Sequence, residues 1–261
     1  MLSKRQKDEL QFWKNDVTAI ELHLLDLQAL MVKAAAETGG LKVLAIDADP
    51  AIGLSFALGV EVTKTVDHIR RDLIEKIEGN KADDKAGTLQ MLDYELFDAL
   101  VEADGFSLLA IGRSEGEGCY CQVNNLLKDI IESLADNFDV IIIDGEAGVE
   151  QINRRVLKRV DHLVLVSDTS AKGLKVAATI RQVACDGQAV DYMSTGLLLN
   201  RIRDNSEVDA IMNGMDLELL GWLPEDEQIR TFDFSGKPYV DFPVISKTYI
   251  AISELLKRIS N

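Results

Sequence analysis

Cysteine, proline, positive charge and long apolar runs are all scarce in this chain, and each scarcity removes a class of protein. Three cysteines in 261 residues are too few, and odd in number, for a disulfide framework. Reduced thiols, with metal ligation among their uses, are the expectation. With only four prolines and 47% apolar residues, the chain can bury a sizeable core and does not read as disordered. No stretch approaches the roughly 18 consecutive apolar residues of a membrane-spanning helix. Lys and Arg number 28 against 44 Asp and Glu, a net charge of -16. Such a surface repels phosphates, so neither nucleic acid nor an anionic membrane is expected as the main partner. The first ten residues begin basic but lead into no apolar signal core, so cytoplasm is the expected compartment.

What is present is organised around Phe138 to Gly148. Val140 to Ile143 are four consecutive β-branched apolar residues that run straight into Asp144. A continuous run of this kind predicts a strand buried on both faces of a parallel sheet. Leu41 to Asp47, Phe106 to Ile111, His162 to Val166, Gly196 to Asn200 and Glu218 to Leu223 read as further strands. Between them lie helical patterns. The clearest is Val123, Leu126, Leu127, Ile130, Ile131 and Leu134, an amphipathic stripe. Helices are also expected around Leu54 to Leu58, Val66 to Glu78, Tyr94 to Glu102, Val149 to Arg159, Leu174 to Cys185, Ser206 to Asn213 and Ile250 to Ile259. The basic run Arg154, Arg155, Lys158 and Arg159 reads as a solvated helix face. Alternating strands and helices predict an α/β fold, a mostly parallel central sheet with helices on both faces.

Residues 4 to 37 differ from the rest. They contain no Gly and no Pro, and Val17, Ile20, Leu24, Leu27, Leu30 and Met31 fall at helical spacing. One or two helices are expected, stopping at Gly39-Gly40, with a short strand near Val17 and Ile20 as the alternative. Residues 1–31 are therefore read as an atypical, mostly helical segment ahead of a nucleotide-binding domain over 32–261.

Two groups of residues carry chemistry. Asp47, Asp49 and Asp144 stand at the ends of two strands, on one rim of a parallel sheet, where open α/β sheets bind ligands. Hard oxygen ligands there suit Mg2+, which takes one or two carboxylates together with phosphates and water. A phosphate-handling sheet also needs a glycine-rich loop, a Lys and a Ser or Thr. No G-x-x-x-x-G-K-[ST] occurs anywhere in the sequence, and the only Gly-Lys pair, Gly236-Lys237, precedes Pro238. The second group is Cys119-Tyr-Cys121, two thiols in a glycine-rich acidic loop ahead of a helix. A two-fold dimer could bring four such sulfurs around one Zn2+ or Ni2+. Two incidental loop cysteines are the plainer alternative.

Three stretches together carry a family resemblance: Val43-Leu-Ala-Ile-Asp-Ala-Asp-Pro50, Gly118-Cys-Tyr-Cys121, and Val140 to Glu150 with Arg154 behind it. From about Val32 onward the chain resembles the MinD/ParA-type P-loop ATPases. Within them it is most similar to the CooC branch, nickel-insertion accessory proteins of carbon monoxide dehydrogenase. The resemblance implies a homodimer using ATP and Mg2+ and serving a client metalloenzyme. Asp47 and Asp49 would be the catalytic acids of the first switch, and Asp144 the Mg2+-side acid. Asn200, Pro224 and Asp226 would flank the adenine, and Cys119 and Cys121 would hold Ni2+ or Zn2+ across the dimer. The chain departs from the pattern in two places. Gly53 or a neighbour stands where the family has an Asn after D-x-D-P, and the first strand with its phosphate-binding loop is not recognisable in residues 1 to about 29. Either another segment fills that strand's slot or the sheet is shorter. A shifted reading frame and a genuine loss of hydrolysis both account for this. A non-catalytic dimeric metal-binding or regulatory scaffold and a partner-positioning MinD/ParA-type ATPase are the alternative functions.

Overall fold

The computed structural model describes residues 18–22, 25–78, 85–112, 121–144, 159–187 and 191–259. The strands are β1 (Thr18–Leu22), β2 (Val43–Asp47), β3 (Val101–Ala103), β4 (Phe106–Ala110), β5 (Val140–Asp144), β6 (Arg159–Ser167), β7 (Asp191–Ile202) and β8 (Leu219–Pro224). The helices are α1 (Leu25–Thr38), α2 (Gly53–Leu58), α3 (Val66–Glu78), α4 (Lys85–Asp98), α5 (Cys121–Ala135), α6 (Ala171–Gly187), α7 (Asn205–Met212), α8 (Glu227–Ser235) and α9 (Lys247–Ile259). The strands form one sheet in the order β3-β4-β2-β5-β1-β6-β7-β8. All pairings are parallel except the short edge pair β3–β4.

β5 forms at the centre because Val140 to Ile143 are β-branched and need no water on either face. All five residues of β2 and of β5 are buried. Odd and even positions feed two separate cores. On one face Leu44, Ile46, Ile141 and Ile143 meet α3 to α7, including the stripe residues Leu127, Ile130 and Ile131. On the other face Val43, Ala45, Val140 and Ile142 meet α1, α2 and α9. α9 supplies Tyr249, Ile252, Leu255, Leu256 and Ile259 to that layer. Among the described residues no helix is long and apolar enough to cross a membrane.

The principal surprise lies at the start of the chain. Thr18–Leu22 is the strand that the sequence offered as the alternative to a helix, and it fills the central slot between β5 and β6. Five residues pair in register with β5, from Thr18 opposite Val140 to Leu22 opposite Asp144. Parallel neighbours on both sides satisfy its backbone, which outweighs the helical spacing of its side chains. The helix that follows, Leu25–Thr38, runs without a break across position 31/32 and ends before Gly39-Gly40. Two shorter elements also escaped the sequence pattern. β3 occupies part of the expected helix to Glu102, because α4 starts earlier at Lys85 and ends at Asp98. α8 follows Pro224, where no element was expected. The expected helix over Val149 to Arg159 lies outside the described residues up to 158, and β6 begins at Arg159.

Candidate functional site

Parallel pairing brings the C-terminal ends of β1, β2 and β5 to one rim. Asp47 lies opposite Asp144 in the β2–β5 register, and Leu22 lies opposite Asp144 on the other side. The chain leaving β2 stays close, since Ala48 N donates to the Asp144 carbonyl at 3.1 Å. Asp47 is completely buried, and its two carboxylate oxygens accept from Asp49 N at 3.2 Å and Ser55 N at 3.1 Å. Asp49 is half-buried and accepts from Ala51 N at 2.8 Å. Burial pushes the Asp47 carboxyl up to about 6, against the opposing pull of those amide donors. Burial, with the charge of Asp47 next, pushes Asp144 up to about 7. Three of the expected site acids are thus gathered where the charge density of a cation would be favourable. Among the described residues, however, no three His, Cys, Asp or Glu side chains converge into a metal-holding group.

The first turn of α1 faces this rim. Gln28, fully buried, donates from Nε2 to Asp144 Oδ1 at 2.6 Å. Asp26 accepts from Leu27 N at 2.9 Å, placing a carboxylate on one of the amides that open the helix. Its pKa is raised, by burial first and by the charge of Asp233 as well. Only His23 and Leu24 separate β1 from α1. The sole lysine of α1, Lys33, is buried and donates to Glu37 Oε1 at 2.5 Å and to the Val240 carbonyl at 2.7 Å.

Beside the rim lies a cavity of about 370 Å3. Asn200 at the end of β7, Pro224 at the end of β8 and Asp226 at the head of α8 all line it, together with Asp26 and Leu27. Asp226 is held by its capping role. It accepts from Gln228 N at 2.9 Å, and its second oxygen accepts from Ser246 Oγ at 2.5 Å. Asn200 Oδ1 accepts from Arg201 N at 2.9 Å. Arg201 adopts a left-handed φ of 61° within the irregular stretch of β7 between Leu199 and Ile202. Leu27, Leu30, Leu223, Ile229 and Ile252 add apolar wall. The volume is in the range of about 300–1,000 Å3 usual for small-molecule sites. These apolar side chains share the lining with charged residues, and the Asn200 carboxamide offers both a donor and an acceptor.

The residues present fit one part of a Mg-nucleotide site and not the other. The cavity suits the base. The strand-to-helix junction offers neither glycine nor lysine, and it presents the Asp26 carboxylate where a phosphate would need amide donors. Sequence reasoning missed Asp26, Gln28, Arg201 and Asp233. The detectable signal was an acid two residues before Gln28 at a helix start, concealed because the strand before it was read only as the alternative to a helix. Cys119 lies outside the described residues, and Cys121 is described only as the first residue of α5. The expected metal pair therefore lies outside what the geometry covers.

Comparisons with known proteins agree with this fold. The AAA domain family matches residues 28–187. An uncharacterized ATP-binding protein of Methanocaldococcus jannaschii is 34% identical over 234 residues, 89% of this chain and 92% of its own length. The carbon monoxide dehydrogenase accessory protein CooC of Rhodospirillum rubrum is 28% identical, across 88% of this chain and 90% of CooC. Among solved structures, the MinD cell division protein of Aquifex aeolicus superposes with a TM-score of 0.63 at 19% identity, covering 93% of this chain and 96% of MinD. The parallel sheet with acids on its C-terminal rim and the family match over more than half the sequence lead to one assignment: this chain belongs to the AAA domain family, among the MinD/ParA-type P-loop ATPases.

Proposed function

We propose that this chain is an adenine-binding accessory protein of the CooC-like branch, serving a client metalloenzyme such as a carbon monoxide dehydrogenase without hydrolysing ATP. The observation that carries the reading is the cavity beside the acid rim, which gathers Asn200, Pro224 and Asp226 from three separate elements. The identity to CooC across most of both chains supports an accessory role. Asp47, Asp49 and Asp144 are the acids that would face Mg2+, and Cys119 with Cys121 would take Ni2+ or Zn2+ between two copies of a homodimer. A non-catalytic scaffold of the same fold is the second reading. It is favoured by one observation, the Gln28 contact that engages Asp144 from within the chain.

The two readings separate in a calorimetric titration with adenosine, AMP and ATP, each with and without Mg2+. Binding of at least one adenine compound, weakened by Asn200→Ala, supports the first. No heat from any of the three at millimolar concentration sinks it in favour of the scaffold. The metal part is tested by metal content and oligomeric state of the full chain against Cys119→Ser. Unchanged values for both remove the shared site.

A further inference from the structure

We infer that the head of α3 is a pH-sensitive clasp: neutral His68 closes it and holds the end of β4 beside Asp47, and protonation of His68 opens it. The residues of the clasp lie outside the cavity that Asn200 lines, so it stands whether or not that cavity takes adenine. α3 begins at Val66, and the first amides of a helix have no partner within it. His68 N donates to Thr65 Oγ1 at 3.3 Å, and Thr65 N donates to His68 Nδ1 at 3.2 Å. This is the reciprocal arrangement of a capping box, in which the third helical position ordinarily holds Glu or Gln. Histidine takes that place here. Asp67 N, one position earlier, donates to the Ile111 carbonyl at 2.9 Å, and Ile111 N donates to the Asp47 carbonyl at 2.8 Å. The two peptide groups of Ile111 thus join the head of α3 to the strand end that carries Asp47. The joint is tightly packed. Thr65 is buried, and a Cβ on Gly112, at φ 80°, would lie 2.8 Å from Thr65 Oγ1.

The clasp depends on protonation because Thr65 N–H needs an imidazole nitrogen with a free lone pair. In neutral His68 the proton then sits on Nε2 while Nδ1 accepts. In the imidazolium both nitrogens are donors, and the bond to Thr65 N is lost. Histidine makes this change within about pH 5 to 8, and His68 is exposed, so water reaches its ring. The charged groups around it are accounted for. Asp67 is buried and pairs with Arg70 at 3.1 Å and with Arg71 at 3.0 Å. Lys64, just before Thr65, pairs with Glu95 and Asp98 of α4. Asp72 follows His68 by one turn of α3. On the β4 side Ile111 and Gly112 carry no charge. Among the described residues Thr65 N has no second acceptor, so protonation leaves it to water.

Amide hydrogen exchange of the full chain, read residue by residue and corrected for the intrinsic rate at each pH, tests the clasp. From pH 8 to pH 5.5 the amides of Thr65, Asp67 and Ile111 should exchange about fivefold faster, the effect of losing one helix cap. The amide of Ile252, buried in α9, should not speed up. A general loosening would run the other way, since the raised carboxyls of Asp47 and Asp144 favour the folded chain as pH falls. His68→Gln supplies a neutral acceptor at the same position and should keep these amides slow at both pH values. His68→Ala removes the acceptor and should leave them fast at both. Imidazole nitrogen shifts at pH 8 should show the proton of His68 on Nε2. Wild-type amides that exchange equally at the two pH values overturn the inference. So does a pH dependence that survives in His68→Gln, or a proton found on Nδ1 at pH 8.

Discussion

The centre and the flank of the sheet's C-terminal rim are built differently. At the flank, β7 and β8 bring Asn200 and Pro224 to an open cavity whose wall mixes apolar side chains with five carboxylates and two guanidinium groups. At the centre, β2 and β5 end in acids that the protein itself engages. Asp47 is held by two backbone amides, and Asp144 is engaged by Gln28. Both acids sit in surroundings that disfavour their charged forms. On the proposed reading, the same topology keeps the recognition half of a site open while Gln28 engages an acid of the half that would perform chemistry. A closed centre contributes packing, and an open flank contributes selectivity.

The largest effect should come from breaking the centre. Ile142 is fully buried in β5 between β1 and β2. Ile142→Ala should cost about 2–5 kcal/mol, seen as a loss in denaturant unfolding free energy. The next effect concerns charge at the same place. The Asp47 and Asp144 carboxyls are held above their ordinary value of 3.8, at about 6 and about 7. A carboxyl raised on folding adds stability that is complete below its unfolded value and is lost as pH rises through its folded value. Wild-type stability should therefore fall between pH 4 and pH 7 from this pair. Asp144→Asn should be more stable than wild type by roughly 2 kcal/mol at pH 8 and nearly equal to it at pH 3. A variant that is less stable than wild type at pH 8 would show that the centre needs the charge.

Two smaller effects sharpen the flank. Asn200→Ala should weaken adenosine by about tenfold, equivalent to about 1.4 kcal/mol, with unfolding free energy nearly unchanged, since the residue lies at a strand end and works through a hydrogen bond. Arg201→Gly relieves a left-handed φ of 61° and should raise stability by about 0.5–1 kcal/mol, less than the full strain because glycine adds freedom to the unfolded chain.

How far these regions could be read in advance follows from their physics. β5 was plain, because Val140 to Ile143 can only be comfortable with both faces covered. α5 was equally plain from its stripe. β1 was not, since Thr18-Ala-Ile-Glu-Leu22 interrupts its apolar residues with a Glu and lies within a helical spacing of leucines. Its place comes from pairing with β5, where each partner lies 122 residues further along the chain (Thr18 with Val140, Leu22 with Asp144), which no local pattern encodes. α8 was hidden behind Pro224-Glu-Asp-Glu-Gln, although Asp226 as cap with an acid in the first turn is a helix-start signal. Of the site, Asp47, Asp49 and Asp144 were legible as acids at strand ends. Asn200, Pro224 and Asp226 were reached only through family resemblance, because a cavity formed by three elements has no spacing of its own. Asp26 and Gln28 were out of reach without β1.

The account stands on the centre of the rim being closed to chemistry, and phosphate release from Mg-ATP tests that most directly. The full chain, at micromolar concentration with millimolar Mg-ATP, should release phosphate no faster than a protein-free blank, and Asp144→Asn should behave identically. Release above the blank that disappears in Asp144→Asn would mean that Asp144 serves a working nucleotide site, and the closed centre would be wrong.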